Sequence, residues 1–172
     1  NVIPTNTAEA LPDTPEPTVS PFDCGIDAVG EHIQHEVVAN IDYAEKTAQV
    51  SQEISYRNDE QVTLTEIVFA IEANAYEGAF ALESVSLNGA EPFHTLDRNR
   101  LTVRLPVTLN PGCVARVQLQ FSLTIPRIGI GVTSFKGFFG YSDRQLNLGH
   151  WLVTPATRRN EAWLLHNAQS IG

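Results

Sequence analysis

A chain of 172 residues with eleven Lys and Arg against twenty Asp and Glu carries a formal charge of −9, and its length suffices for one domain with a sizeable core. The acidic balance argues against nucleic-acid binding, because neutralising phosphates requires clustered cations and the basic residues here are scattered. No apolar run reaches the length of a membrane-spanning helix.

The first stretch is of a different composition from the rest. Asn1 to Pro21 holds Pro4, Pro12, Pro15, Pro17 and Pro21 with Thr, Glu and Asp between them. Such a segment buries too little apolar surface to offset its ordering entropy, so a disordered Pro/Thr-rich tether is expected over residues 1–23, with a folded domain over 24–172. The sequence contains no methionine, so it does not start at a translation start. A Pro/Thr spacer behind a removed export signal fits a secreted or cell-surface-anchored protein, with lipid as one form of anchor.

Strands then follow one another. In Thr47–Tyr56 (TAQVSQEISY), Ala48, Val50, Ile54 and Tyr56 share one parity and only Gln52 interrupts the apolar row. Period two places one face on a core and the other in water. Leu64–Ala73 is apolar almost throughout, as a strand covered on both faces would be. Phe80–Leu87 offers Leu82, Val85 and Leu87 to the core, and Asn88-Gly89 supplies residues that accept positive φ in a tight turn. Leu101–Leu105 and Val114–Ile125 continue the series across the Asn110-Pro111-Gly112 turn, with Val117, Leu119, Phe121, Leu123 and Ile125 on one face. The spacing predicts an all-β, antiparallel two-sheet β-sandwich whose core includes Val50, Ile54, Val68, Leu82, Val85, Val103, Leu119, Phe121 and Leu123. Helical signals are weak: Trp163–Gln169 reads either as one or two helical turns or as a short strand. The last residues, apolar and without a closing turn, read as a cut made before further strands.

Chemistry is sparse. Cys24 and Cys113 make an even count in a chain read as exported, which predicts a disulfide between the end of the tether and the Pro-Gly turn. His32 and His35 are the only closely spaced histidines, and on extended chain they point to opposite faces, unsuited to one metal. His94, His150 and His166 are isolated, and there is no HExxH, CxxC or G-x-S-x-G. Arg158-Arg159 reads as a solvated loop. Phe135, Phe138, Phe139, Tyr141 and Trp151 fall in or beside a glycine-rich stretch and form a candidate partner surface, for protein or carbohydrate; the alternative is a loop folded over an open end of the sandwich.

Several segments together carry a resemblance. The stretches SYRNDEQVTLTEIVFAIEANA, LESVSLNGAE, LTVRLPVTLNPGCVARVQLQFSLTIP and GYSDRQLNLGHW resemble the N-terminal β-sandwich domain of M1-family zinc metallopeptidases (aminopeptidase N-like), of the bacterial exported type, over roughly residues 33 to 155. The most specific element is Asn147-Leu148-Gly149-x-Trp151; Leu152-Val153 stands where the family often shows Tyr-Pro. The resemblance implies a non-catalytic domain that braces a downstream catalytic domain of the same polypeptide and walls its cleft. Zinc and its HExxH ligands belong to that absent domain, and no catalytic, cofactor or metal residue transfers to this chain. The alternative function, from another class, is a free-standing adhesion or carbohydrate-binding sandwich held off the cell surface by the tether.

Overall fold

A computed structural model describes residues 22–25, 33–128 and 138–165; the tether Asn1–Pro21 and the segment after Leu165 lie outside them. Two four-stranded antiparallel sheets form a sandwich. One has the order β1-β2-β7-β4, from Gln34–Asp42, Thr47–Arg57, Val114–Thr124 and Phe80–Leu87; the other has the order β10-β3-β6-β5, from Thr154–Pro155, Leu64–Ala70, Arg100–Leu109 and His94–Asp97. Two small hairpins complete it: β8 (Phe139–Tyr141) with β9 (Leu146–Leu148), and β11 (Thr157–Arg159) with β12 (Ala162–Leu164). Among the described residues there is no α-helix, only a single 3₁₀ turn at Glu72–Ala75 between β3 and β4. Trp163 lies in β12, so the start of Trp163–Gln169 is strand; residues 166–169 fall outside the described chain.

The period-two reading of β2 and β7 matches the burial. Ala48, Val50, Ile54 and Tyr56 on β2, with Ala115, Val117, Leu119, Phe121 and Leu123 on β7, turn into one core. Phe121 sits between Val50 and Leu82 on the flanking strands, with the Phe80 ring 5.1 Å from its own. Large rings without exposed surface contribute most to such a core.

Two strands depart from simple alternation. In β4 the pairing with β7 shifts between Leu82 and Ser84. One extra residue there is a β-bulge, which resets parity and lets Phe80 and Leu82 before it, and Val85 and Leu87 after it, all face inward. In β3 it is Ile67 and Phe69 that join the main core; Val68 is fully buried on the opposite face, and its carbonyl accepts the Ala156 N–H at 2.8 Å along the strand edge. The apolar run thus reflects cover on both faces, and Val68 belongs to the second of them.

The turns obey their residues. Asn88 and Gly89 both hold positive φ, 49° and 84°, while Leu87 and Ala90 exchange two backbone hydrogen bonds around them. Pro111 and Gly112 (φ 77°) reverse the chain under a 3.1 Å bond from the Cys113 N–H to the Asn110 carbonyl. Asn160 and Glu161, at φ 50° and 65°, close the last hairpin, so Arg158-Arg159 is strand rather than loop, and Arg158 is largely buried beside Glu60 at 3.8 Å.

The domain begins slightly earlier than its composition suggests. Phe22 is buried at 5% exposure, Asp23 pairs with Val114, and Cys24 is bonded to Cys113. The linker boundary therefore moves from residue 23 to before Phe22, because a phenylalanine docked in the core belongs to the fold.

Candidate partner surface

GYSDRQLNLGHW folds as the β8–β9 hairpin and the turn after it. Tyr141 and Leu146 flank its tip, where the Ser142 N–H donates to the Gln145 carbonyl at 2.8 Å. Two glycines are required by close approach. A Cβ on Gly140 would lie 2.7 Å from Ile128 Cγ1 and 2.8 Å from the Pro126 carbonyl. A Cβ on Gly149 would lie 2.7 Å from the Phe138 carbonyl, which accepts the Gly149 N–H at 2.6 Å. The Gly149 bond closes the hairpin base and turns the chain at His150, whose φ is 54°.

The five aromatics of the candidate surface separate on folding. Phe138 is exposed at 55%, with its ring edge-on to His150 at 6.0 Å between centroids. Tyr141 and Trp151 are half-buried and pack against the core with part of each side chain open. Phe139 is not surface at all: it is buried, with its ring 5.5 Å from that of Tyr76. Strand alternation explains the split, since neighbouring residues point to opposite sides. Phe135 lies outside the described residues. Beside the hairpin, the Lys46 ammonium sits 3.6 Å above the Tyr43 ring and 5.4 Å from that of Tyr141, and Arg127 pairs with Asp143 at 3.0 Å.

The segment after Trp151 is held by a residue whose role the sequence does not announce. Gln52 is fully buried, and its side chain forms a two-way pair with Val153: Nε2 donates to the Val153 carbonyl at 2.7 Å and Oε1 accepts the Val153 N–H at 3.1 Å. This fixes the orientation of the amide, so its remaining N–H donates to His35 Nδ1 at 2.9 Å. His35 therefore accepts in its neutral form, and desolvation where it meets this pair lowers its pKa. The polar residue in an apolar row is a clamp between the two sheets.

Other features are less convergent. A cleft of about 430 Å³ on the outer face of the first sheet is lined by Asp23, Glu53, Asn88, Arg116 and Gln118, with Gln118 Nε2 donating to Glu53 Oε2 at 2.7 Å. A second, apolar groove of about 310 Å³ lies beside Phe93, Leu105 and Pro106, with the Arg104 guanidinium 5.7 Å over the Phe93 ring. Among the described residues no three His, Cys, Asp or Glu side chains gather as metal ligands would. His94 contacts its own turn at the Pro92 carbonyl, 3.2 Å away, and His32 and His166 lie outside the described chain. No helix among the described residues is long and apolar enough to cross a membrane.

Tyr56, near the end of β2 and beside the Trp163 ring, provides a titration marker. Burial pushes its pKa up to about 12, the Glu60 and Asp59 carboxylates add to the shift, and Arg158 opposes it. A phenol whose folded pKa is raised binds its proton more tightly folded than unfolded, so stability is lost as pH rises above 10 toward 12. Absorbance titration at 295 nm is expected to show a late step near 12 or on unfolding that Tyr56→Phe removes, and the same variant to flatten the alkaline fall in stability. Four tyrosines titrating together near 10 would contradict this environment.

Comparison with family models and with curated protein sequences finds no match. Among solved structures, the chain is similar to a mutant M1 zinc metallopeptidase from Deinococcus radiodurans bound to a Tyr-Ser-Ala substrate, at 16% identity and a TM-score of 0.45, over 57% of this chain and 21% of that one. It is also similar to the M1 zinc metallopeptidase from Deinococcus radiodurans at 21% identity and a TM-score of 0.35, over 50% and 17%. A two-domain M1 zinc metallopeptidase mutant bound to L-tryptophan matches at 16% identity and a TM-score of 0.47, over 59% and 22%. The chain thus spans about a fifth of the length of these structural neighbours.

Proposed function

We propose that this chain is the non-catalytic N-terminal β-sandwich of an exported M1-like metallopeptidase, bracing a catalytic domain of the same polypeptide and walling its cleft. The observation that carries the reading is the Gly140–Trp151 element: the residues with the most specific family likeness form an ordered hairpin at the sandwich surface, with Phe138 exposed at its base. An exposed aromatic beside half-buried Tyr141 and Trp151 suits an interface within one polypeptide, where a large apolar side chain left in water is stabilised by cover. The Cys24–Cys113 bond supports export, since such bonds persist in oxidising compartments.

In this reading zinc resides in the catalytic domain, where it would polarise a peptide carbonyl and activate water. The described residues here offer no ligand set for it, so this chain's part is to hold shape and exclude water at the domain boundary. The 172-residue chain alone is expected to hydrolyse no aminoacyl or peptide substrate and to hold no stoichiometric zinc. Elemental analysis without chelator and an aminopeptidase assay with and without added zinc check this. One tightly held zinc per chain with zinc-dependent turnover would overturn it, and an open reading frame with no HExxH downstream would favour the adhesion or carbohydrate-binding alternative.

A further inference from the structure

The two sheets have four edges, and three of them are protected against pairing with another chain. β4 carries its bulge, β5 is four residues long and β10 only two. Short edge strands and bulges are the usual guards of an open edge. β1 has neither. Its nine residues (QHEVVANID) pair with β2 without a register shift, contain no Lys and no Pro, and meet no strand on their other side among the described residues.

β1 is also barely covered. On the row shared with Val50 and Ile54, His35, Ala39 and Ile41 are exposed and Val37 half-buried, because the second sheet at that end offers only the short β10 and the Val153 clamp. On the outer row, Gln34, Glu36, Asn40 and Asp42 are polar. The exception is Val38, exposed at 68%, more than any other large hydrophobic among the described residues. Val38 is the central residue of the nine.

We infer that the free edge of β1 pairs antiparallel with β1 of a second copy of this chain about a twofold axis through Val38. In that register Val38 meets Val38 of the other copy, Glu36 faces Asn40, Gln34 faces Asp42, His35 faces Ile41 and Val37 faces Ala39. No acid opposes an acid. A parallel in-register pairing would set Glu36 against Glu36, and sliding the antiparallel pair to centre on Ala39 would set Glu36 against Asp42, both destabilising. A twofold contact uses the same patch on both copies, and a self-complementary strand supplies one. The result is a continuous eight-stranded sheet. The inference stands apart from the metallopeptidase reading, since it concerns an edge and not the Gly140–Trp151 hairpin.

One strand pair buries a small interface and each copy carries a charge of −9, so the dimer is expected to be weak, on the order of micromolar or weaker, and tighter when salt screens the repulsion. Sedimentation velocity on the 172-residue protein, over a concentration series in low and high salt, is expected to show a monomer–dimer equilibrium shifting to dimer in salt. Val38→Lys, at an exposed position, should keep the circular dichroism and melting temperature and weaken association at least about tenfold by setting two cations directly opposite each other across the twofold axis. Val38→Cys should yield a disulfide-linked dimer under oxidation, while Asn40→Cys, which the register sets opposite Glu36, should not. A protein monomeric at every concentration, self-association indifferent to Val38→Lys, or equal crosslinking at residues 38 and 40 would each overturn the inference.

Discussion

Replacing both Cys24 and Cys113 with alanine is expected to lower the stability of the domain by about 4–5 kcal/mol, the loop-closure entropy of a crosslink spanning 89 residues. The bond closes most of the sandwich into one loop, from the strand-like entry at Asp23 to the turn before β7. Its loss frees the unfolded chain and loosens the docking of Phe22, whose neighbour Asp23 accepts the Val114 N–H at its carbonyl at 2.7 Å. Against a typical total of about 5–15 kcal/mol, a loss of that size leaves a marginal fold. Urea unfolding with and without reductant measures it. The parent protein should shift to the midpoint of the double variant when reduced, and the double variant should not respond. Identical curves for the parent in both buffers would refute the crosslink.

Asn58→Leu is expected to cost about 2–4 kcal/mol, although leucine is close in size and more apolar. Asn58 is fully buried, and its side chain is saturated: Nδ2 donates to the Val62 and Leu109 carbonyls, both at 2.9 Å, and Oδ1 accepts the Glu60 N–H at 3.1 Å. Its backbone adds bonds to Cys113 and Gly112. It thus ties the end of β2 to the β6–β7 turn, and leucine would take this partner from the Leu109 carbonyl in the interior and from the partly covered Val62 carbonyl and Glu60 N–H. Asn58→Asp keeps the size but sets a carboxylate against two carbonyls. Its folded pKa would rise above the unfolded value near 3.9, so this variant should lose stability as pH rises through that value and suffer least in acid. Chemical denaturation at pH 4 and pH 7 separates the two variants. Near-parental midpoints for Asn58→Leu would show that these bonds contribute little.

Cys24 and Cys113 were visible in the sequence as an even cysteine count, and Asn58 only as one residue of the stretch SYRNDEQVTLTEIVFAIEANA. The difference is general to this chain. Strand existence, the facing rows on β2 and β7 and the turns at Asn88-Gly89 and Pro111-Gly112 follow from residues within about ten positions of one another. A side chain's parity, and the φ values glycine and asparagine tolerate, are local properties. So the all-β reading needed no tertiary knowledge.

The tertiary structure decided everything that depends on a distant partner. Gln52 looks like a fault in an apolar row until Val153, 101 residues further on, supplies both halves of its amide pair. Glu83 and Ser84 carry no mark that β4 bulges between Leu82 and Val85, because a bulge is defined by the partner strand. Val68 and Phe69 are equally apolar; alternation sets them on opposite faces, and only the packing of the two sheets decides that Phe69 is the one in the main core. Phe138 and Phe139 are the same residue in succession, yet one is surface and the other core, since alternation says that they differ but not which turns inward. Local chemistry determined the strands of this protein and their turns. Which face each strand buries, and which edge it leaves open, was settled by long-range packing, where the free energy depends on neighbours that a sequence window does not contain.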